Sequence, residues 1–104
     1  MENITLTIQI PTGLQKSPAT YFIQVANTFK SSIWIEKDST RVNAKSLLGV
    51  LSLGIHRGDA INITTNGIDE LLAITTIQEY FNASSLGETE LEEWMEKFKE
   101  THII

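Results

Sequence analysis

Residues 3 to 10 alternate without a break: Ile4, Leu6, Ile8 and Ile10 fall on one side of an extended chain, and Asn3, Thr5, Thr7 and Gln9 on the other. A period of two does not fit a helix and predicts a strand with one face buried and the other in water. Strands of that kind belong to antiparallel sheets covered on a single face, because a parallel sheet buries both. The segment "DAINITTNG" (59–67) repeats the pattern. "SSIWIEK" (31–37) and "RVNA" (41–44) read as two shorter strands joined by Lys37, Asp38, Ser39 and Thr40, residues suited to a turn.

Between the strands the period changes. Phe22, Ala26 and Phe29, with Val25 beside them, recur at helical spacing and predict an amphipathic helix over 18–29, with Ser17 as its cap and Pro18 at its first position. "KSLLGVLSLG" (45–54) is apolar enough for a strand or a short helix. Ser46 as a cap ahead of Leu47, Leu48, Val50 and Leu51, with Gly54 as a stop, favours the helix. Residues 69–82, with Leu71, Leu72, Ile74, Ile77, Tyr80 and Phe81, predict a longer one. The order βαββαβα predicts an α+β fold, an open-faced sandwich in which a four-stranded antiparallel sheet carries its helices on one face.

Residues 83–104 exceed that plan, so a domain over 1–83 and a helical extension over 84–104 are expected. "ASSLG" (83–87) reads as a polar break, and Thr89 with Glu92 as a capping box. Leu91, Trp94, Met95 and Phe98 form one helical stripe, while Glu90, Glu93, Glu96, Lys97 and Glu100 form a solvated face. The stripe either packs onto the domain or serves as a dimer or partner surface.

Composition narrows the function classes. A chain of 104 residues with 41% hydrophobic content suits one compact domain. No run of about 18 apolar residues is present to cross a bilayer. The first residues lack the basic-then-apolar order of a secretory leader, so the expected location is the cytoplasm. The chain contains no cysteine, which excludes disulfides, cysteine metal sites and thiol chemistry. The net charge of −5 is divided: residues 1–67 carry six Lys/Arg against four Asp/Glu, residues 68–104 two against nine. That balance disfavours nucleic-acid binding and leaves only a small basic patch of Lys16, Lys45 and Arg41.

No glycine-rich phosphate loop, catalytic triad or metal-ligand spacing stands out, so no enzymatic reaction, cofactor or metal is expected. His56 has no second ligand at a useful spacing and reads as a loop residue, and His102 as incidental to the chain end. Asp69 and Glu70, adjacent at a helix start, suit dipole compensation better than acid–base work. Trp34 reads as packing.

Two segments carry more. "TGLQKSPAT" (12–20) is a strand-to-helix turn that makes an electropositive helix start, with Gln15 where a nucleophile would act. "VNAKSLLGVLSLG" (42–54) places Ser46 at the start of the short helix. Together with the element order they resemble the HPr family of the bacterial phosphoenolpyruvate-dependent sugar phosphotransferase system over roughly residues 2–82. In that family a histidine at the position of Gln15 carries the phosphoryl group, an arginine stands at the position of Ser17, and a proline at that of Pro18. A serine at the position of Ser46 is the regulatory phosphorylation site in Gram-positive members. This chain keeps Pro18 and Ser46 and lacks the other two, and glutamine in place of the histidine is the mark of the catabolite-repression HPr (Crh) branch.

An amide cannot replace the imidazole as a phosphocarrier, whereas a phosphoserine is a stable ester suited to a regulatory mark. Its added charge at Ser46 meets the N–H groups of a helix start, with Lys45 next to it. The resemblance implies phosphorylation of Ser46 by the bifunctional HPr kinase/phosphorylase and binding of the product to catabolite control protein A as a corepressor in carbon catabolite repression. Carried onto matching positions, the partner-binding face comprises Gln15, Thr20, Tyr21, Gln24, Asn27, Leu47, Leu48 and Leu51. Ser17 joins it as the departure from the family arginine, since it lacks the planar fork that pairs with phosphate. A homodimer formed by exchanging the first strand across Pro11–Gly13 is a further implication. The competing readings are a phosphoryl-transfer component that uses another acceptor such as His56, and an assembly module acting through the terminal helix.

Overall fold

The alternating residues of four strands meet in one apolar row. In the computed structural model, which describes residues 1–102, Ile4 lies opposite Ile63, Ile63 opposite Ile35, and Ile35 opposite Val42. This row runs across β1 (Glu2–Thr7), β4 (Ala60–Asn66), β2 (Ser32–Lys37) and β3 (Thr40–Asn43), an antiparallel sheet of order β1-β4-β2-β3. A slip of one residue would turn every one of these side chains to water, so the pattern sets the register. The opposite face carries a second row, Asn3–Thr64–Trp34–Asn43, in which Asn3 and Asn62 exchange amide hydrogen bonds of 2.7 and 2.9 Å. Trp34 lies on this uncovered face, half-buried, with the Arg41 guanidinium 4.8 Å from its ring centre. The β2–β3 turn holds Asp38 and Ser39 at φ of 50° and 68°, the paired left-handed residues of a two-residue hairpin loop.

Helices α1 (Lys16–Asn27), α2 (Leu47–Ser52), α3 (Glu70–Ser85) and α4 (Glu88–His102) cover the apolar face, giving the expected open-faced sandwich with one extra helix. Phe22, Val25, Ile33, Ile35, Ile63 and Ile77 are fully buried between the layers. Tyr80 is buried with them and donates its hydroxyl proton to the Pro18 carbonyl, which ties α3 to the first turn of α1. Burial holds its phenol protonated far above the ordinary range.

Several boundaries differ from the sequence reading. α1 starts at Lys16, with Gln15 rather than Ser17 as its N-cap and no side-chain cap bond. Pro18 is its third residue, tolerated because first-turn N–H groups have no partner within the helix. α3 continues through Ser84 and Ser85, whose hydroxyls bond to the carbonyls of Phe81 and Asn82 at 3.2 and 2.7 Å, so these polar side chains are satisfied inside the helix. The break is therefore only Leu86 and Gly87, with Gly87 at φ 130°. α4 begins at Glu88, which puts Thr89 inside the first turn and removes it from any capping role. The final two positions of the expected extension, 103 and 104, lie outside the described residues.

The apolar stripe of α4 packs within the chain. Leu91, Met95 and Phe98 are buried in the same core as the sheet. Trp94 stands edge-on to Tyr80 at 5.5 Å and stacks on Phe98 at 5.1 Å. No helix among the described residues is long and apolar enough to cross a membrane.

Candidate functional site

The β1–α1 turn is built around Gly13. Its φ is +75°, its N–H donates to Ile10, and Leu14 N–H donates to the Ile55 carbonyl at 3.1 Å. A Cβ at Gly13 would stand 2.4 Å from that carbonyl oxygen and 2.9 Å from the His56 Cα, so only glycine lets the 55–56 backbone lie against the turn. Gln15 follows, half-buried, with a long 3.5 Å hydrogen bond from its amide to the same Ile55 carbonyl. Lys16, at φ 53°, is a non-glycine residue in the left-handed region, a conformation that costs about 1–2 kcal/mol. The backbone of His56 thus lies beside Gly13 although its ring is exposed, a proximity hidden by more than 40 residues of intervening sequence.

Asp59 fastens this loop. It accepts the His56 N–H at 2.7 Å and pairs with Lys37 Nζ at 2.9 Å, while Lys37 also bonds the Gly54 carbonyl. The His56 N–H and the Lys37 ammonium hold the Asp59 carboxyl below its usual range. Neither Lys37 nor Asp59 stood out in the sequence, because each is an ordinary polar residue at a strand end or in a loop.

The second part of the site is the face shared by α1 and α2. Ser46 is exposed and caps α2, its Oγ accepting the Gly49 N–H at 3.2 Å. Leu47, Leu48 and Leu51 are 37, 81 and 40% exposed, a high share for a six-residue helix and an apolar patch beside Ser46. Asn27 links α1 to the segment just before α2, donating to the Lys45 carbonyl at 3.2 Å and to its own helix at Ile23. Ser17, Thr20 and Asn27 are exposed along α1, and Gln24 is half-buried with a carbonyl oxygen that has no hydrogen-bond partner. Tyr21 stands apart from these: it is half-buried against the core, and Lys99 of α4 lies over its ring at 5.6 Å.

The basic patch does not form. Lys45 reaches back to the Phe29 carbonyl at 2.6 Å, Arg41 covers Trp34 on the open sheet face, and Lys16 stays at the other end of α1. Lys45 therefore neutralises the carbonyl end of α1 and does not turn toward Ser46. Asp69 caps no helix N–H; it accepts from the Lys30 and Ser31 N–H groups, both at 2.9 Å, and from the Ser31 hydroxyl. Partial burial pushes its carboxyl up, but the Ser31 hydroxyl and these two N–H groups outweigh it and the group titrates low. Glu70 accepts from Gly67 and from the terminal amine of Met1. Among the described residues no three His, Asp or Glu side chains converge as metal ligands would.

This geometry has close counterparts. The family model described as the PTS HPr component phosphorylation site matches residues 3–83. The HPr-like protein Crh of Halalkalibacterium halodurans is 47% identical over 70 residues, covering 67% of this chain and 83% of that protein. Among solved structures, an HPr-C-His from Thermoanaerobacter tengcongensis superposes with a TM-score of 0.81 at 39% identity, over 85% of this chain and 99% of the other. The Bacillus subtilis catabolite repression protein Crh, solved as a domain-swapped dimer, superposes with a TM-score of 0.58 at 36% identity, over 83% and 94% of the two chains. With a match over most of its length, a glutamine on the β1–α1 turn and an exposed serine capping α2, the chain belongs to the HPr family of the phosphotransferase system, close to its Crh members.

Proposed function

We propose that this chain is a regulatory phosphoprotein, not an enzyme, that acts in the cytoplasm through Ser46. HPr kinase/phosphorylase transfers the γ-phosphoryl group of ATP to Ser46 Oγ; the new P–O bond replaces the bond to ADP, and the serine proton leaves to a base on the kinase. The phosphoserine then serves as the charged anchor, and Leu47, Leu48 and Leu51 as the apolar one, for catabolite control protein A. The unit over residues 1–83 carries this switch, and residues 84–104 are added to it. The observation that carries the reading is the exposed Ser46 cap flanked by exposed leucines, in a chain whose Gln15 cannot hold a transferable phosphoryl group.

Modification fits the local structure. A phosphate adds about −1.5 to −2 charge at the positive end of α2, where backbone N–H groups point outward, so the helix keeps its start. Intact-mass analysis with site mapping, after incubation with HPr kinase/phosphorylase and ATP, tests the reading. Phosphate on Ser46, and regulator binding lost in Ser46→Ala, is the expected result; modification elsewhere with binding intact refutes it.

A carrier reading draws on one observation, the His56 backbone against Gly13. It requires label from phosphoenolpyruvate, passed through the first enzyme of the system, to survive Ser46→Ala and vanish in His56→Ala. A homodimer by exchange of β1 across Pro11–Gly13 is the assembly we expect, and mass in solution decides it.

A further inference from the structure

β1 pairs with β4 on one side only, because it ends the strand order β1-β4-β2-β3. Main-chain groups alternate in direction along a strand, so the bonds at its end fix which residues turn outward. Ile8 donates its N–H to the Asp59 carbonyl and accepts the Gly58 N–H, both at 2.8 Å, which turns Ile4, Leu6 and Ile8 toward β4. Asn3, Thr5 and Thr7 therefore point their N–H and C=O groups away from the sheet.

An outer edge of this kind is ordinarily blunted by lysine, proline, a bulge or a covering element. β1 reads Glu-Asn-Ile-Thr-Leu-Thr, with none of the first two, and its register against β4 is unbroken from Glu2 to Thr7. Beside it, α3 contributes the uncharged Gln78, Asn82 and Ser85 to a groove shared with Leu6 and Thr7. Ile4 and Leu6 are only half-buried, whereas Ile63 and Ile61, opposite them on β4, are fully buried. The apolar row is thus unfinished at this end of the sheet.

The strand on the other side of β1 shows what fits it. Asn-Ile-Thr occurs at 3–5 and again at 62–64, and the two triplets lie antiparallel, Asn3 opposite Thr64, Ile4 opposite Ile63 and Thr5 opposite Asn62. Turned against a copy of itself, the triplet sets asparagine against threonine at both ends and isoleucine against isoleucine between them. It is self-complementary. In the β1–β4 pair, Asn3 donates to the Thr64 hydroxyl at 2.7 Å and Asn62 to the Thr5 hydroxyl at 2.9 Å. The Thr5 hydroxyl accepts there and keeps its own proton to donate.

We propose that the outer edge of β1 is an interaction surface for a second copy of this chain, paired antiparallel about a two-fold axis at Ile4, with Asn3 opposite the partner's Thr5. The parity agrees with this register. Asn3 and Thr5 both face outward and exchange main-chain hydrogen bonds across the axis, while Ile4 and the partner's Ile4 form the closely spaced pair between them and extend the apolar row. A two-fold contact closes on itself, so the product is a discrete pair and not a fibre. Exchange of β1 between copies would leave the same edge outside β4, so this pairing is independent of that exchange and of Ser46.

The test follows the full-length protein at about 10 μM and about 1 mM, a range that spans weak self-association. Sedimentation gives the mass, and NMR-detected hydrogen exchange gives the individual amides. The mass is expected to double at the higher concentration. The Asn3 and Thr5 amides should slow about tenfold, with the Ile4 and Leu6 amides, already turned toward β4, changing less. N3K/T5K and N3E/T5E each place like charges opposite one another across the axis and should keep the lower mass, whereas an equal mixture of the two should regain the doubled one. Both side chains are exposed, so the variants fold, as melting curves verify. Asn3 and Thr5 amides that exchange at one rate at both concentrations, a doubled mass that N3K/T5K leaves intact, or a mixture that stays apart would each overturn the proposal. Phosphorylation of Ser46 is scored separately, so none of these outcomes bears on the regulatory reading.

Discussion

Replacing Gly13 with alanine tests whether the site is set by the contact between the β1–α1 turn and the 55–56 loop. Two effects add. An L-residue at φ +75° costs about 1–2 kcal/mol relative to glycine. The new methyl group, placed 2.4 Å from the Ile55 carbonyl oxygen and 2.9 Å from the His56 Cα, meets backbone on both sides and cannot be relieved by a rotamer change. Overpacking of that kind costs about 1–3 kcal/mol, and moving the loop also stretches the 3.1 Å bond from Leu14 to Ile55. The sum is about 3 kcal/mol. With an unfolding entropy near 2.1 cal/mol/K per residue, a chain of 104 residues loses about 14 °C in melting temperature. Thermal unfolding followed by circular dichroism measures it directly. A fall of less than about 3 °C would mean that the 55–56 loop moves aside freely and does not hold the turn that carries Gln15.

Other perturbations separate the remaining contributions. Leu91→Ala removes a side chain that is 2% exposed and is expected to destabilise by about 3 kcal/mol in urea titrations; a loss under about 1 kcal/mol would show that α4 rests on the core without belonging to it. Asp69→Asn places an amide donor against the donors of Lys30 and Ser31 and is expected to cost about 1–2 kcal/mol at neutral pH. Because the folded carboxyl titrates low, its stabilisation is complete above the unfolded value near 4 and is lost as pH falls through the lower folded value. The gap between wild type and Asp69→Asn should therefore narrow in strongly acidic solution, and a gap independent of pH would contradict the assignment. Ser46→Ala removes the cap bond to Gly49 at a cost of about 1 kcal/mol, small enough that a complete loss of phosphorylation in this variant reports on the acceptor and not on folding.

Features that depend on near neighbours were legible along the chain. Alternation at Ile4, Leu6 and Ile8 and at Ile61 and Ile63 specified half-buried strands, because a residue's face follows directly from its place in the pleat. Ser46 ahead of an apolar run announced its own cap, a bond that spans three residues. Helix ends were less legible: Ser84 and Ser85 looked like a break, yet their hydroxyls bond inside α3, and tertiary burial of Ser84 extends the helix past its weak local preference. Long-range partners were not legible at all. Lys45 turns to the end of α1, Asp69 holds the Ser31 turn 38 residues away, and His56 comes to rest against Gly13. Nor did the stripe of Leu91, Met95 and Phe98 reveal whether it would pack at home or against another chain. Those choices were made by the tertiary structure, since burial and hydrogen-bond satisfaction depend on which surfaces the sheet and helices bring together, and spacing along the chain carries no record of that.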